Sequence, residues 1–151
     1  MEWAISLGFF GLFISCFIAA TILPFSSEIV VATFLALKPD APMEILFIAS
    51  AGNFLGGLTC YWIGMLGKEE WIRRLGVKQQ SITKYEHFIH KYGAFMALLC
   101  WMPFIGDILA VALGFFRVRF FWTALYMFAG KFARYYVCIF LTDYFIKILA
   151  Q

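Results

Sequence analysis

The sequence predicts an all-α integral membrane protein: an inverted repeat of a re-entrant helical hairpin plus a transmembrane helix, with an amphipathic cytoplasmic connector between the copies. Of the 151 residues, 64% are hydrophobic and 14% are charged, which lies outside the range of soluble domains. Two apolar stretches are interrupted by a proline followed by an acid, and most cations gather in short segments between the apolar runs. At about 20 residues per crossing, we expect a single membrane domain over residues 1–151. This leaves no room for a soluble catalytic domain, so we expect neither an enzyme nor a nucleotide-driven pump encoded in this chain alone.

The first apolar stretch, residues 3–37, is too short for two full crossings with a connection, because each crossing needs about 20 residues. Its interruption contains Pro24, Ser26, Ser27 and Glu28. Unwound backbone is tolerated at membrane depth only where it is buried in protein or lines a wet cavity. We therefore predict a re-entrant hairpin whose tip contains Pro24, Ser26 and Ser27.

An uninterrupted apolar run over residues 43–66 predicts one membrane-crossing helix, with Asn53 near its centre. This helix completes the first repeat unit, about residues 3–66. The connector, residues 67–91, changes abruptly to a charged composition. Its apolar positions recur at helical spacing, which predicts an amphipathic helix on the membrane surface in the second half.

The second repeat unit is predicted over about residues 92–149. Its first half is apolar but contains Pro103, Gly106 and Asp107. By the same argument as before, this half forms a second re-entrant hairpin with its tip at Pro103 and Gly106. A long helix over about residues 119–149 follows it.

The distribution of cations decides between two topologies. If the second interrupted stretch crossed the membrane, Arg117 and Arg119 would lie opposite the six cations of the connector. If it is a hairpin, all eight share one face and only Lys38 and Lys147 lie on the other. Because the cytoplasmic side carries the excess of cations, the stronger asymmetry favours two hairpins and two crossings, with both termini outside.

The two units resemble each other in sequence. Residues 23–29, LPFSSEI, align with residues 102–108, MPFIGDI, at an offset of 79, and residues 51–54, AGNF, align with residues 129–132, AGKF, at an offset of 78. Each unit crosses the membrane once, so the second copy is inverted relative to the first, as in many secondary transporters.

Four ionisable residues are predicted at membrane depth: Glu28, Asp107, Lys131 and Arg134. At roughly 2.5–3.5 kcal/mol each, four charges facing lipid would cost on the order of 10–14 kcal/mol, so we expect them to face inward. Lys131 and Arg134 share one helix face, and each hairpin tip supplies one acid. Asn53 is the repeat partner of Lys131, so we expect it to line the same interior site. The alternative is two buried ion pairs that only hold the hairpins in place.

Four motifs, taken in order, resemble the YqaA-type branch of the bacterial DedA family, which is related to the SNARE-associated Golgi, or VTT, proteins. They are P-x-x-S-E at residues 24–28, G-N-x-x-G-G at 52–57, W-M-P-x-x-G-D at 101–107 and G-K-x-x-R-Y at 130–135. The resemblance covers nearly the whole chain. It implies two opposed re-entrant hairpins in a multi-pass protein of the bacterial inner membrane. It also implies membership of a superfamily associated with moving lipids across bilayers, often with proton coupling.

On this basis the expected function is proton-coupled flipping or scrambling of a lipid or lipid-linked phosphate. Lys131, Arg134 and Asn53 would bind the phosphate, while Glu28 and Asp107 would be the proton-titrated partners. Carboxylates in a low-dielectric site titrate closer to neutral pH than in water, which suits such coupling. Two other functions stay open: a small-solute or ion secondary transporter, and a non-transporting structural or assembly factor.

The remaining side chains predict no further chemistry. The four cysteines lie inside apolar stretches without metal-ligand spacing, so we interpret them as small core residues and expect neither metal nor cofactor. Tyr135 and Tyr136 are interpreted as packing or interfacial residues. The expected partners are membrane lipids, among them an anionic lipid substrate, and a second copy of the chain in a homodimer, with no nucleic acid.

Overall fold

The computed structural model describes residues 2–21, 27–67, 79–102 and 105–149. Every regular element in these ranges is helical, so the all-α prediction is confirmed for them. The α-helices among the described residues are α1 (Glu2–Ala19), α2 (Ser27–Leu37), α3 (Pro42–Leu66), α4 (Gln79–Met96), α5 (Ile105–Phe115) and α6 (Phe120–Leu149), and a 3₁₀ helix (Ala97–Trp101) continues from α4.

The helices α3 and α6 are, within the part of the chain that the structure describes, the two that are long and apolar enough to cross a membrane. They contain 25 and 30 residues, or about 38 Å and 45 Å at about 1.5 Å per residue. Their bounds agree to within a residue with the runs predicted at 43–66 and 119–149. Both predicted crossings are therefore helices of sufficient length.

The helices α1 and α2 run antiparallel. The ammonium of Lys38, just after α2, lies 4.8 Å from the ring centroid of Phe9, in the first half of α1. A Cβ on Gly8 of α1 would lie 3.7 Å from the ring of Phe34 in α2. The two arms on either side of the first proline–acid interruption thus form a helical hairpin.

Glycines on α3 allow α1 to approach its backbone closely. A Cβ on Gly52 would lie 2.5 Å from the carbonyl oxygen of Phe13, and one on Gly56 would lie 2.7 Å from the carbonyl oxygen of Phe17. Real Cβ atoms do not approach carbonyl oxygens so closely, so both positions require glycine. Because the residue numbers rise together, α1 and α3 run in the same direction.

A second close crossing joins α3 to α5. A Cβ on Gly64 would overlap the carbonyl oxygen of Val111, and a Cβ on Gly114 would overlap the carbonyl oxygen of Tyr61. The contact is reciprocal, and the two helices run antiparallel because one number falls as the other rises. This places α5 beside the C-terminal half of α3.

The buried apolar residues fall into two clusters at opposite ends of the α3–α6 pair. The first joins α1 and α2 to the N-terminal half of α3 and the C-terminal half of α6; it contains Leu12, Cys16, Val31, Leu35, Ile45, Leu46, Ala49, Tyr135 and Ile139. The second joins α5 and the 3₁₀ helix to the other two halves; it contains Cys60, Tyr61, Ala97, Cys100, Ala110, Leu113, Val118 and Met127. The helices α3 and α6 are therefore antiparallel, and the two short helices α2 and α5 occupy opposite ends.

The connector continues into the second unit without a break. The helix predicted in the second half of the connector is present as α4, but α4 runs through positions 91 and 92, where the sequence places the unit boundary. A change of composition does not end a helix, and Gly93 is tolerated because it faces Val118, whose Cγ2 would lie 2.8 Å from an added Cβ. The position of α4 on a membrane surface stays a prediction.

The helix α5 ends in a Schellman motif. The amide of Val118 donates to the carbonyl of Leu113 at 3.1 Å, and the amide of Arg117 donates to the carbonyl of Gly114 at 2.9 Å. Arg117 has a φ of 51°, the left-handed conformation that this motif requires and that glycine adopts most easily. Three predicted tip residues, Pro24, Ser26 and Pro103, lie outside the described residues, as does the first half of the connector after residue 67.

Candidate functional site

The four charges predicted at membrane depth lie around the middle of α6. We call Glu28, Asp107, Lys131 and Arg134 the charge cluster. Lys131 and Arg134 are one turn apart on α6, while Glu28 and Asp107 lie in the first turns of α2 and α5. A carboxylate is stabilised in the first turn of a helix because the unpaired amide groups there carry positive potential. The structure brings the four side chains together as two ion pairs.

In the first pair, Lys131 is fully enclosed. Its Nζ donates to Asp107 Oδ1 at 3.1 Å and to Asn53 Oδ1 at 2.6 Å, and Lys131 is 1% exposed. Gly57 makes room for this side chain, because a Cβ there would lie 3.1 Å from Lys131 Cε and 3.2 Å from Nζ.

Asn53 fixes the position of the ammonium. Its Nδ2 donates to the carbonyl oxygen of Cys16 on α1 at 3.3 Å, while its Oδ1 accepts from Lys131. An ammonium can only donate, so the amide orientation follows from its neighbour. Asn53 and Lys131 are the positions that the sequence repeat aligns, and here they contact each other directly. Asn53 therefore holds the ammonium of Lys131 in place.

In the second pair, Arg134 contacts both α2 and the 3₁₀ helix. Its Nη2 donates to Ser27 Oγ in α2 at 3.1 Å, and its Nη1 donates to the carbonyl oxygen of Trp101 in the 3₁₀ helix at 3.1 Å. Its Nε lies 3.0 Å from Glu28 Oε1. The N–H at Nε is not aimed at that oxygen, however, and Nε has no hydrogen-bond acceptor among the described residues. The Arg134–Glu28 pair is thus an ion pair without a hydrogen bond.

Tyr135 belongs to the site, which the sequence did not indicate. It is fully buried, and its hydroxyl donates to Ser27 Oγ at 2.6 Å, whereas Tyr136 is 52% exposed. The available signal was its position directly after Arg134 in the fourth motif. The many aromatic residues of the chain concealed it, because a tyrosine in such a sequence is most often a packing residue.

The cations are buried and the acids are not. The side chains of Lys131 and Arg134 are 2% and 12% exposed, whereas those of Asp107 and Glu28 are 32% and 37% exposed. All four were expected to face inward, but the acids lie at the border of the interior. The more accessible part of the charge cluster is therefore its two carboxylates.

The start of α5 is closely packed against the 3₁₀ helix at Gly106, one of the predicted tip residues. This glycine is buried in the first turn of α5, and a Cβ there would overlap the carbonyl oxygen of Cys100 in the 3₁₀ helix. The 3₁₀ helix and α5 can approach this closely only because the position has no side chain. Gly106 thereby places Asp107, its neighbour, beside Lys131.

The other candidate groups are the cysteines and the side chains that could bind a metal ion. Cys16, Cys60 and Cys100 are buried free thiols, and Cys60 donates to the carbonyl oxygen of Ala20 at 3.1 Å. The described segments contain no group of three or more His, Cys, Asp or Glu side chains that could hold a metal ion. Within these segments the charge cluster is the main concentration of buried charge.

The chain is similar to one family model and to several known bacterial proteins. The family model described as the VTT domain matches residues 23–144. A protein of Haemophilus influenzae is 34% identical over 145 residues, which cover 89% of this chain and 87% of the relative. The inner membrane protein YqaA of Escherichia coli K12 is 35% identical over 130 residues, which cover 86% of this chain and 87% of the relative. The membrane protein YkoX of Bacillus subtilis 168 is 25% identical over 142 residues, covering 90% of this chain and 63% of the relative. No solved structure shows significant similarity to the chain.

Proposed function

The chain belongs to the VTT domain family, in its YqaA-type branch, and from that premise we propose that it translocates a lipid or lipid-linked phosphate across the membrane with proton coupling. The family membership predicted from the four motifs is confirmed, and so is the predicted localisation in the bacterial inner membrane. The substrate, the coupling and the roles of the individual residues are the content of the proposal.

The proposal includes an inverted repeat with two re-entrant hairpins. Its support is the length and position of α2 and α5. Each has 11 residues, or about 16 Å at about 1.5 Å per residue, roughly half of a hydrocarbon core of about 30 Å. They pack at opposite ends of the α3–α6 pair, and each begins with its acid near the middle of α6.

The observation that carries the proposed function is the order of burial in the charge cluster. The cations lie behind the carboxylates, so a phosphate group reaches them only by displacing a carboxylate. Protonation of Glu28 or Asp107 removes the competing charge and frees the cation for the phosphate. Deprotonation restores the ion pair and expels the phosphate, so proton binding and substrate binding favour each other.

Asn53 has a positioning role in this proposal. Its amide is engaged by Lys131 and by the Cys16 carbonyl, so it orients the cation and does not bind the phosphate itself.

Contact with membrane lipid is supported by the outer surface. The C-terminal half of α6 exposes large apolar side chains along its length, which suits a helix surrounded by lipid; they are Val137, Phe140, Leu141, Tyr144, Phe145 and Ile148.

The test is transport by purified protein in proteoliposomes that contain a fluorescent phosphate-bearing lipid. We expect wild-type protein to move the lipid between leaflets and Glu28→Gln to stop the pH-dependent part of that movement. The matched control is Asp143→Asn, which removes an exposed ion pair with Lys147 on the same helix and should leave transport unchanged. If no lipid moves at any pH, while Glu28→Gln abolishes a proton or solute flux, the protein is a small-solute carrier and the lipid proposal is wrong.

A further inference from the structure

We infer that the two ion pairs have different roles: Arg134 and Ser27 form the subsite that binds a phosphate-class oxyanion, whereas Lys131 binds no ligand and holds the helices together. This inference deepens the proposed function and rests on it for the substrate class. The proposed function treats the two ion pairs alike. They differ, however, in how many N–H donors of the cation are already used, in how deeply the cation is buried and in which helices it connects.

Lys131 has little left to offer a ligand. Two of its three N–H donors are used, by Asn53 and Asp107, and its side chain is 2% exposed. Gly57 lies so close to the ammonium that even a methyl group there would lie 3.2 Å from Nζ. A phosphate group, which is larger than a methyl group, could reach Lys131 only if α3 and α6 separated.

Arg134 has an N–H donor on one edge of its guanidinium that makes no hydrogen bond within the described segments. A guanidinium carries five N–H donors, and Ser27 and the Trp101 carbonyl take one each. The N–H at Nε lacks an acceptor within the described segments, although a Glu28 oxygen is 3.0 Å away. The edge formed by Nε and a terminal nitrogen is the one that binds carboxylates and phosphates with two parallel hydrogen bonds. Glu28 thus occupies the place of an oxyanion without making its hydrogen bond.

Ser27 supplies a second donor at the same place. Its Oγ accepts from Arg134 at 3.1 Å and from Tyr135 at 2.6 Å, so both of its lone pairs are used. Its own O–H proton has no acceptor among the described residues, and because Ser27 is 1% exposed an anion would reach it only from the place that Glu28 occupies. An oxyanion beside Arg134 would receive hydrogen bonds from both.

The same contacts make Glu28 the competing group for this subsite. Its side chain is 37% exposed and forms no hydrogen bond with Arg134 in its ion pair, so its departure costs less than that of Asp107, which accepts a hydrogen bond from Lys131. Because Arg134 also donates to the Trp101 carbonyl, an anion bound here contacts a residue that joins both hairpins.

The test compares two charge-neutral double variants in detergent-solubilised full-length protein. Glu28→Gln with Arg134→Gln removes one pair, and Lys131→Met with Asp107→Asn removes the other, and neither changes the net charge. Binding of radiolabelled inorganic phosphate is measured by equilibrium dialysis. Helicity and elution volume are checked for each variant. We expect the first variant to lose affinity by about tenfold or more, since charge-assisted bonds of about 1.5–3 kcal/mol are removed. The second should retain affinity within about threefold, although it is less stable.

Two further measurements keep the inference falsifiable if a double variant does not fold. Arg134→Lys keeps the charge and removes the planar fork, so phosphate affinity should fall while the folded state persists. In lipid nanodiscs, phosphatidic acid should compete with inorganic phosphate if the source is a lipid headgroup, and phosphatidylcholine should not. Failure of phosphatidic acid to compete would identify free phosphate as the source and leave the residue assignment in place.

The inference is overturned if wild-type protein binds no phosphate, if both double variants lose affinity equally, or if Arg134→Lys binds as well as wild type. Phosphate binding that depends on Arg134, without any lipid transport, would contradict the proposed function and support the subsite. Lipid transport together with a phosphate affinity that does not depend on Arg134 would support the proposed function and contradict the subsite.

Discussion

Replacing Lys131 should destabilise the protein because it breaks the Lys131–Asp107 ion pair. Lys131→Met keeps most of the side-chain volume but removes two charge-assisted hydrogen bonds, at 2.6 Å and 3.1 Å, from a side chain that is 2% exposed. Removing one member of a buried ion pair costs about 3–5 kcal/mol. Because Asp107 is about one-third exposed and remains partly solvated, we expect the lower end, about 3 kcal/mol.

The partner variant should cost at least as much, and the two costs should not add. Asp107→Asn keeps an oxygen that accepts from Lys131 but leaves an ammonium that is 2% exposed without a counter-charge, so we expect a loss of about 3 kcal/mol or more. The double variant leaves neither an unpaired ammonium nor an unpaired carboxylate. Its loss should be smaller than the sum of the two by at least about 1 kcal/mol.

The assay is reversible unfolding in mixed micelles with increasing sodium dodecyl sulfate, followed by circular dichroism. The matched control is the cycle Asp143→Asn with Lys147→Met, which removes an exposed pair one turn apart on the same helix. That pair should show a coupling of about 0.3–0.5 kcal/mol. If the Lys131–Asp107 cycle is additive to within about 0.5 kcal/mol, the pair does not hold the helices together and the reasoning fails.

Three further predictions concern packing, capping and topology. Gly64→Ala should lower the free energy of unfolding by about 1–3 kcal/mol or more, because the added Cβ would overlap a carbonyl oxygen of α5. Gly11→Ala, where an added Cβ has no atom within 4 Å, should raise it by about 0.5–1 kcal/mol. Thermal unfolding of the two variants compares these effects. Arg117→Gly should raise the free energy of unfolding by about 1 kcal/mol, because glycine adopts a φ of 51° without strain; an unchanged value would contradict the strain. Single cysteines at positions 74 and 117, in a background without native cysteines, should react with an impermeant thiol reagent from one side of the membrane and a cysteine at 40 from the other. Labelling of 74 and 117 from opposite sides would refute the second hairpin.

The sequence predicted the long helices because their signal is local. The apolar runs that define α3 and α6 continue for more than 20 residues without a proline, so their bounds were predicted to within a residue. The starts of α2 and α5 followed from a proline and an acid in each interrupted stretch. The end of the connector was not predictable, since α4 crosses the change of composition without a proline and accommodates Gly93 against Val118.

The pairing within the charge cluster could not be predicted, because it depends on how α6 is rotated and on backbone atoms that have no sequence signature. The carbonyl of Trp101 accepts from Arg134 and the carbonyl of Cys16 accepts from Asn53, and any residue type would supply the same oxygen. The sequence placed Asn53 beside Lys131 through the repeat, but it assigned Asn53 to the phosphate. The structure engages both ends of its amide with protein groups.

The most direct test of the central claim is the pH dependence of lipid transport by wild-type protein and by Glu28→Gln in the same proteoliposomes. Wild-type transport should rise towards acidic pH on the side where the substrate enters, because protonated Glu28 no longer competes for Arg134. Glu28→Gln should transport without this dependence, while Asp143→Asn should keep it. Wild-type transport that falls towards acidic pH, or a Glu28→Gln profile that coincides with the wild type, would contradict the account.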